Sequence, residues 1–379
     1  MKVLHIIAGL DQGGGESALY RLVTDRSRST EHVVISMMDL GVYGPLLAVA
    51  GVRVHTLHMP RGLLALRGIA RLWKIIRSER PDVVQTWMYH ADLVGGLVAR
   101  VAGCSAIVWG VYSFNLAPGM MSTRTRAVIR VASMLSGLLP RRIISCSSAA
   151  IAVHGQMGYD TSRFRTVHLG YDSDSAHRDS AAGRRFRREH GIGDRDVLIG
   201  CVARWDPQKD HLSFLRALRI VAPAHSFKCV LVGPGMTKAN LALAEQIEET
   251  GTADRVVLAG QVDDIGAAMS ALDLHVLSSL GEAFPNVLCE AMLHEVPCVA
   301  TDVGDVSVIL GETGWLVPAG NVTAMAAAID TAICGMRDRT AWSLRGVACR
   351  RRIVDHFSLE RMVDGYHVVW AESLEGAGR

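Results

Sequence analysis

Residues 272–290 read LDLHVLSSLGEAFPNVLCE, and their order decides the fold. Leu272, Leu274, Val276 and Leu277 carry the pattern of a buried strand, and Gly281 then permits a sharp turn. Pro285 suits the first position of a helix, where its missing N–H leaves no further orphan. The free N–H groups of Asn286, Val287 and their neighbours would leave that helix start with the positive end of the dipole behind them. A phosphate is the natural guest there. Glu282 just before the helix and Glu290 about a turn and a half inside it can accept hydrogen bonds from hydroxyls on either side of the phosphate. A sugar on one side and a ribose on the other satisfy both carboxylates. The plainer alternative is a surface helix with two solvated glutamates.

This segment resembles the donor site of retaining glycosyltransferases of the GT-B fold, in the large family four, or glycosyl transferases group 1. The signature of that family is two glutamates separated by seven residues, which matches Glu282 and Glu290. The likeness continues through AMLHEVPCVATDVGD and ends at GWLVPAGN, residues 314–321. The resemblance implies that Glu282 contacts donor-sugar hydroxyls and Glu290 holds the ribose. It assigns the diphosphate and sugar to the backbone around Ala283, Phe284, Pro285, Asn286 and Val287.

Upstream, IGCVARWDPQKDHLSFLRAL (199–218) passes from an apolar strand through a polar loop into an amphipathic helix. Arg204 and Lys209 stand in that loop, and two fixed cations there would neutralise a departing nucleoside diphosphate without a metal. The resemblance gives them this role; by themselves, an Arg and a Lys so spaced read as solvated surface charges.

KVLHIIAGL at the N-terminus is a short apolar strand, and DQGGGESALYRLV a glycine run opening a helix. Gly13, Gly15 and Ala18 also fit a dinucleotide-binding turn, with Asp39 after the next strand as ribose partner. The spacing suits that reading poorly, because Asp11 and Gln12 intervene after the strand and Asp39 lies beyond the usual ~20 residues. In the glycosyltransferase family a Gly-Gly loop followed by an acid lies over the donor phosphates, and Gly13, Gly14, Gly15 and Glu16 fit that pattern.

Strands alternate with helices on both sides of a polar junction near residues 170–195. PDVVQTW, SAIVWGV and RIISCSS lie before it; DVLIGCV, FKCVLVG, RVVLAG and PCVAT follow. Such alternation specifies α/β architecture with two doubly wound, Rossmann-like domains, which the GT-B resemblance sets facing across a cleft. The expected division is an acceptor-binding domain over residues 1–175, a nucleotide-sugar-binding domain over 190–350, and a final helix within 351–379 crossing back to the first domain. A chain of 379 residues suffices for two such cores.

Composition narrows the function classes. Hydrophobic residues make up 49% of the chain, yet no run of about 18 uncharged apolar residues occurs. The first nine residues lack the features of a signal peptide, so the expectation is a cytoplasmic protein. Eight scattered cysteines without a C-x-x-C pair read as buried thiols. Residues 1–172 carry 19 Lys+Arg against 10 Asp+Glu, and the remainder 21 against 27, so the first half is basic. Around Gly68 to Arg80, Leu66, Ile69, Trp73 and Ile76 recur on one face while Arg67, Arg71 and Lys74 fall on another. A second stretch, residues 120–142, mixes Met120 and Met121 with Arg124, Arg126 and Arg130. Both stretches suit either peripheral contact with an anionic membrane or packing on a sheet. RRFRREH, residues 184–190, reads as a solvated helix. No nucleic-acid motif accompanies the basic residues.

Two departures from the family pattern stand out. Where members carry a histidine after the strand SAIVWGV, this chain has Tyr112 and Ser113; His90, in QTWMYHADL, is the substitute candidate, with a helix-capping or core role as the alternative. The usual P-N-G-x-D near the junction is His168, Leu169, Gly170, Tyr171 and Asp172 here, without the Asn.

The sequence therefore leads to a retaining hexosyl- or N-acetylhexosaminyltransferase. It would take a nucleotide diphosphate sugar and a glycan or lipid-linked hydroxyl acceptor, with no cofactor or metal, in cell-surface polysaccharide or glycolipid assembly. Base recognition falls to backbone near Gly260 to Asp263. The competing classes are a non-hydrolysing sugar-nucleotide epimerase, an NAD-dependent oxidoreductase built on the glycine run, and a non-catalytic sugar-binding or scaffold protein.

Overall fold

The computed structural model describes residues 1–60, 65–112, 122–174 and 176–375. Ser113, Met120 and Met121 lie outside the described residues. The chain forms two compact units, Met1–Gly170 together with Leu359–Arg379, and Tyr171–Ser358.

The first unit is built on seven strands: β1 Lys2–Ile7, β2 Glu31–Ser36, β3 Arg53–Thr56, β4 Val83–Trp87, β5 Ile107–Val111, β6 Arg142–Ser145 and β7 Phe164–Thr166. They lie in the order β3-β2-β1-β4-β5-β6-β7, and every pairing is parallel. All five residues of β4 and of β5 are buried, as expected of strands covered by helices on both faces. Strand order reverses between β1 and β4, so the loops after these two strands leave to opposite faces and open a crevice at their carboxyl ends.

The second unit has six strands: β8 Leu198–Val202, β9 Lys228–Val232, β10 Val256–Gly260, β11 Leu274–Leu277, β12 Cys298–Thr301 and β13 Trp315–Val317. Their order is β10-β9-β8-β11-β12-β13, again all parallel, with the switch point between β8 and β11. Phe214, Leu218, Leu231, Val276, Val299 and Ile329 form the heart of its core.

The terminal helix, Leu359–Glu375, belongs to the first unit and is anchored there by aromatic residues. Trp370 is fully buried and donates its Nε1 hydrogen to Gln85 Oε1 at 3.1 Å. Trp87 stacks on Tyr112 and Tyr366, whose hydroxyls bond each other. Tyr112 is thereby part of this aromatic packing. The expected boundary at residue 351 shifts to 359, because residues 351–356 finish a separate helix, Arg339–His356, that stays with the second unit. Arg350 and Arg352 hold that helix by donating to the carbonyls of Ser173, Leu293 and Ile309. The expected junction near 170–195 narrows to Gly170 and Tyr171. Tyr171 N–H donates to the Phe357 carbonyl at 2.9 Å, so the residues on the second unit's side of both chain crossings are paired.

Three sequence expectations change in the structure. The helix Ser180–Glu189 is not simply solvated: Arg187 is 7% exposed and donates to the carbonyls of Ala271, Gly193 and Asp196 and to Asp273 Oδ2 at 2.8 Å. In the helix Leu66–Glu79 the buried residues are Gly68, Leu72 and Ile76, whereas Leu66 and Trp73 are exposed among Arg67, Arg71 and Lys74. Of the eight cysteines, six are buried, but Cys104 is intermediate and Cys334 exposed.

Candidate functional site

The switch point of the second unit brings together residues far apart in sequence. β8 ends at Val202 and its loop runs through Arg204 and Lys209; β11 ends at Leu277 and its loop runs through Ser279 and Glu282. Because β8 and β11 are neighbours, these loops emerge side by side. They are laced by backbone and side chain: Leu280 N–H donates to the Gln208 carbonyl at 2.8 Å, Gln208 Nε2 to the Gly281 carbonyl, and Ser278 Oγ to the Lys209 carbonyl at 2.7 Å.

Within this lacing, Lys209 Nζ forms an ion pair with Glu282 Oε1, and the two side chains are only 14% and 13% exposed. The same Glu282 oxygen accepts a hydrogen bond from Ser279 Oγ at 2.7 Å. Ser279 is itself 1% exposed, and its carbonyl accepts from Thr301 Oγ1 on β12 at 2.6 Å. Thr301 thus fixes Ser279, and Ser279 with Lys209 fixes the carboxylate. The loop after β12 supports the same turn, since Asp305 N–H donates to the Ala283 carbonyl at 3.2 Å. Gly304 sits at φ +56 so close that a Cβ there would stand 1.9 Å from the Glu282 carbonyl oxygen, so no other residue fits.

The helix that follows spans Asn286–Leu293. Pro285 is its N-cap, with ψ 108 and no side-chain cap bond, one position before the place expected from its sequence. No side chain caps this helix start, which lies next to the buried Ala283 and Phe284. Asn286 is held by Tyr171, whose hydroxyl donates to Asn286 Oδ1 at 2.7 Å. Glu290 lies half-buried on the same helix, a little over one turn on from Asn286, and its carbonyl accepts from His294 Nδ1 at 2.7 Å.

Arg204 takes a different partner from Lys209. Its guanidinium, 61% exposed, grips Asp206 Oδ2 at 3.0 Å, and Asp206 Oδ1 in turn accepts from Gln208 N–H at 2.9 Å. Burial raises the Asp206 carboxyl, but the Gln208 backbone and the Arg204 guanidinium outweigh it and hold the pKa below the ordinary value. The arrangement offers one exposed cation, one largely buried cation, a helix start without a side-chain cap and a carboxylate. That set suits a diphosphate flanked by hydroxyl-bearing groups.

At Gly260, where the sequence placed one end of the base-recognition backbone, both main-chain polar groups are engaged within the protein. Its N–H donates to the Met236 carbonyl and its own carbonyl accepts from Gly233 N–H.

In the first unit, the glycine run and His90 both fall at the crevice between β1 and β4. Gly13 is the N-cap of the helix Gly14–Thr24, without a side-chain cap. A Cβ on Gly13 would come within 2.2 Å of Glu16 Oε2, so the carboxylate folds back over the glycine loop, while Gly15 faces open space. Burial pushes the Glu16 carboxyl above its ordinary pKa, opposed by a backbone hydrogen bond and reinforced by Asp11. Asp39, the ribose partner of the dinucleotide reading, is instead 79% exposed and bonded to His58 Nδ1 at 2.6 Å. His90 follows Met88, whose φ of +71 redirects the chain from β4 into the next helix. Burial lowers the His90 pKa, which favours the neutral imidazole. Two residues on, Asp92 is fully buried and accepts from Thr86 Oγ1 at 2.6 Å and Gly110 N–H at 3.3 Å, pinning that helix to β4 and β5. Burial pushes its carboxyl up to about 7, partly offset by those two bonds.

Of the residues singled out from the sequence, the structure brings Lys209 and Glu282 into direct contact, sets Arg204 in the same loop as Lys209, and puts Glu290 on the helix that follows Glu282. Sequence reasoning missed Ser279, Thr301, Gln208 and Tyr171; the Ser278–Ser279 pair at the strand end was the visible signal.

Comparison with known proteins fits this geometry. The family profile described as Glycosyltransferase Family 4 matches residues 3–175, and that described as Glycosyl transferases group 1 matches residues 196–334. The chain belongs to these glycosyltransferases of the GT-B fold. The UDP-Gal:alpha-D-GlcNAc-diphosphoundecaprenol alpha-1,3-galactosyltransferase of Escherichia coli is 23% identical over 79% of this chain and 77% of its own. The N-acetyl-alpha-D-glucosaminyl L-malate synthase of Bacillus anthracis is 26% identical over 50% of this chain, which spans about half (49%) of that relative's length. The structure of Anabaena Alr3699/HepE in complex with UDP-glucose shares the fold, with a TM-score of 0.83 at 23% identity over 99% of this chain and 100% of that one.

The contact between Lys209 and Glu282 has a direct thermodynamic signature. A double-mutant cycle on unfolding with Lys209→Met and Glu282→Gln should give a coupling energy of about 0.5–3 kcal/mol. Strict additivity of the two substitutions would mean that the side chains do not interact in solution.

Proposed function

We propose that this glycosyltransferase is a retaining enzyme. It binds a nucleotide diphosphate sugar in its second unit and transfers a hexosyl or N-acetylhexosaminyl group to a hydroxyl acceptor held by its first unit. The observation that carries this reading is the convergence of Lys209, Glu282 and an uncapped helix start at one switch point. On this proposal the diphosphate draws Lys209 and Arg204 away from Glu282 and Asp206 and rests on the amides of Phe284 to Val287. Glu282, released from Lys209, accepts hydrogen bonds from the sugar hydroxyls, and Glu290 accepts them from the ribose.

In the transfer step the acceptor oxygen bonds to the anomeric carbon as the bond from that carbon to the diphosphate oxygen breaks. The bonding electron pair leaves with the diphosphate, and the acceptor's proton passes to the departing phosphate oxygen on the same face of the sugar. Arg204 and Lys209 stabilise the negative charge that develops there. Two side-chain cations already oppose that charge, so the proposed reaction takes no metal or cofactor. His90, held neutral by its surroundings, is the proposed contact to the sugar or acceptor.

The acceptor is proposed to be a glycan or lipid-linked molecule of cell-surface polysaccharide or glycolipid assembly, a class supported by the relative that acts on a diphosphoundecaprenol-linked sugar. Among the described residues no helix is long and apolar enough to cross a membrane. The proposed location is the cytoplasmic face of the cell membrane, reached peripherally. Exposed Leu66 and Trp73 stand among Arg67, Arg71 and Lys74, and Met134 and Leu138 are 73% and 78% exposed on and just beyond a helix that bears Arg124, Arg126 and Arg130. Apolar side chains ringed by cations suit anionic headgroups.

Calorimetric titration with UDP, GDP, ADP and NAD, without added metal, tests the donor site. One nucleoside diphosphate should bind, and Glu290→Ala should weaken it by about 1.5–3 kcal/mol through loss of a charged acceptor. Binding of NAD alone, or of none of the four, would remove the assignment. Co-sedimentation with vesicles tests the membrane contact. Vesicles rich in anionic lipid should retain the protein at low salt and release it at high salt, and Arg71→Glu with Lys74→Glu should abolish retention. Equal retention by neutral vesicles would contradict the electrostatic part.

A further inference from the structure

The edge of the second sheet opposite the donor site holds a group of side chains that the transfer reaction does not use. The helix Val322–Gly335 follows β13 and runs back to the starting edge of the strands, with Asp330 and Cys334 near its end. Four residues apart, they project from one face a single turn from each other. His225 comes from the turn between the helix His211–Val221 and β9, just before that strand begins at Lys228. Its Nε2 lies 2.6 Å from Asp330 Oδ1, and one ligand atom each from His225, Asp330 and Cys334 all fall within 4.8 Å of one another.

From these positions we propose that His225, Asp330 and Cys334 form a binding site for a divalent transition-metal ion, best suited to Zn2+, that staples the 222–227 turn to the helix Val322–Gly335. Imidazole, carboxylate and thiolate together match zinc, whose bonds of about 2.0–2.3 Å place tetrahedral ligands roughly 3.3–3.8 Å apart. Binding would part His225 Nε2 and Asp330 Oδ1 from 2.6 Å to that spacing, and the 52% exposed Asp330 side chain leaves the fourth position to water.

The turn that carries the histidine is already rigid, as a ligand set requires. Arg255 donates to the carbonyls of both His225 and Ala222, at 3.0 and 3.1 Å, and its guanidinium lies 4.9 Å over the Phe227 ring. The His225 side chain is 8% exposed, so the ring has little freedom to turn away. A C-terminal helix end also favours a cation.

Lys209 and Glu282 follow the carboxyl ends of β8 and β11, whereas this triad borders the strand starts. The ion is therefore structural, and it stands apart from the metal-free transfer chemistry proposed above.

The remaining thiols do not compete. Of the other seven, six are buried and Cys104 is half-buried, and burial pushes Cys201 up to about 12, Cys349 up to about 11 and Cys104 above its ordinary value. Cys334 is the exposed one.

The test titrates Co2+ into the chelator-treated full chain and then displaces it with Zn2+. Wild type should bind a single Co2+ with tetrahedral visible absorption and a near-ultraviolet sulfur-to-cobalt band, and Zn2+ should raise its melting temperature. Cys334→Ser, at an exposed position that leaves the fold intact, should lose the sulfur band. It should also weaken Zn2+ binding by at least the roughly 10–100-fold that loss of an outer partner brings. Asp330→Asn should weaken it similarly. Absence of the sulfur band in wild type, or equal Zn2+ affinity in wild type and Cys334→Ser, would overturn the site.

Discussion

The reversal of strand order in each parallel sheet is the constraint on which the rest depends. At a switch point, the loops from two adjacent strands leave toward opposite faces, and nothing in the sheet fills the space between their starts. In the second unit that space is the origin of the site, because it puts the 203–210 and 278–285 loops side by side. The hydrogen bonds from Leu280, Gln208 and Ser278 then convert proximity into fixed geometry. The first unit repeats the arrangement between β1 and β4, where the glycine run and His90 share one edge.

Electrostatics gives this geometry its use. A partly buried ammonium and carboxylate without partners would each carry a desolvation cost, and pairing Lys209 with Glu282 offsets both. The proposed donor can replace that pairing on both sides at once, with phosphate for the lysine and sugar hydroxyls for the glutamate. A ligand that supplies only one half leaves the other charge unmatched. On the proposed function the pair would favour a complete nucleotide sugar over its fragments, while the bonds from Ser279 to Glu282 and from Thr301 to Ser279 hold the carboxylate.

The sequence disclosed what periodicity and chain direction control. β4, β5, β8 and β11 are buried along their whole length, so their apolar runs marked them, and alternation with helices implied parallel sheets. Glu282 and Glu290 stood out as candidates because their spacing is local to one strand–turn–helix segment. Ser279 and Thr301 were not, because their roles depend on which strands become neighbours. Arg187 was misread as solvated since its partners, the carbonyls of Ala271, Gly193 and Asp196, carry no side-chain signal. Leu66 and Trp73 were grouped with Ile69 and Ile76 on one apolar face, but Gly68 allows the helix to approach Met59 closely and turns a neighbouring stripe inward. Pro285 was displaced by one residue, the ordinary scatter of a helix start.

On the proposed function the Glu282 carboxylate, held by Ser279, serves the sugar and not the nucleotide. The most direct measurement compares the dissociation constants of a nucleoside diphosphate and its nucleotide sugar for wild type and Ser279→Ala. The account predicts that the substitution weakens the nucleotide sugar about tenfold to a hundredfold, the worth of a hydrogen bond to a charged group, and leaves the diphosphate unchanged. Equal losses for both ligands, or none for either, would contradict it.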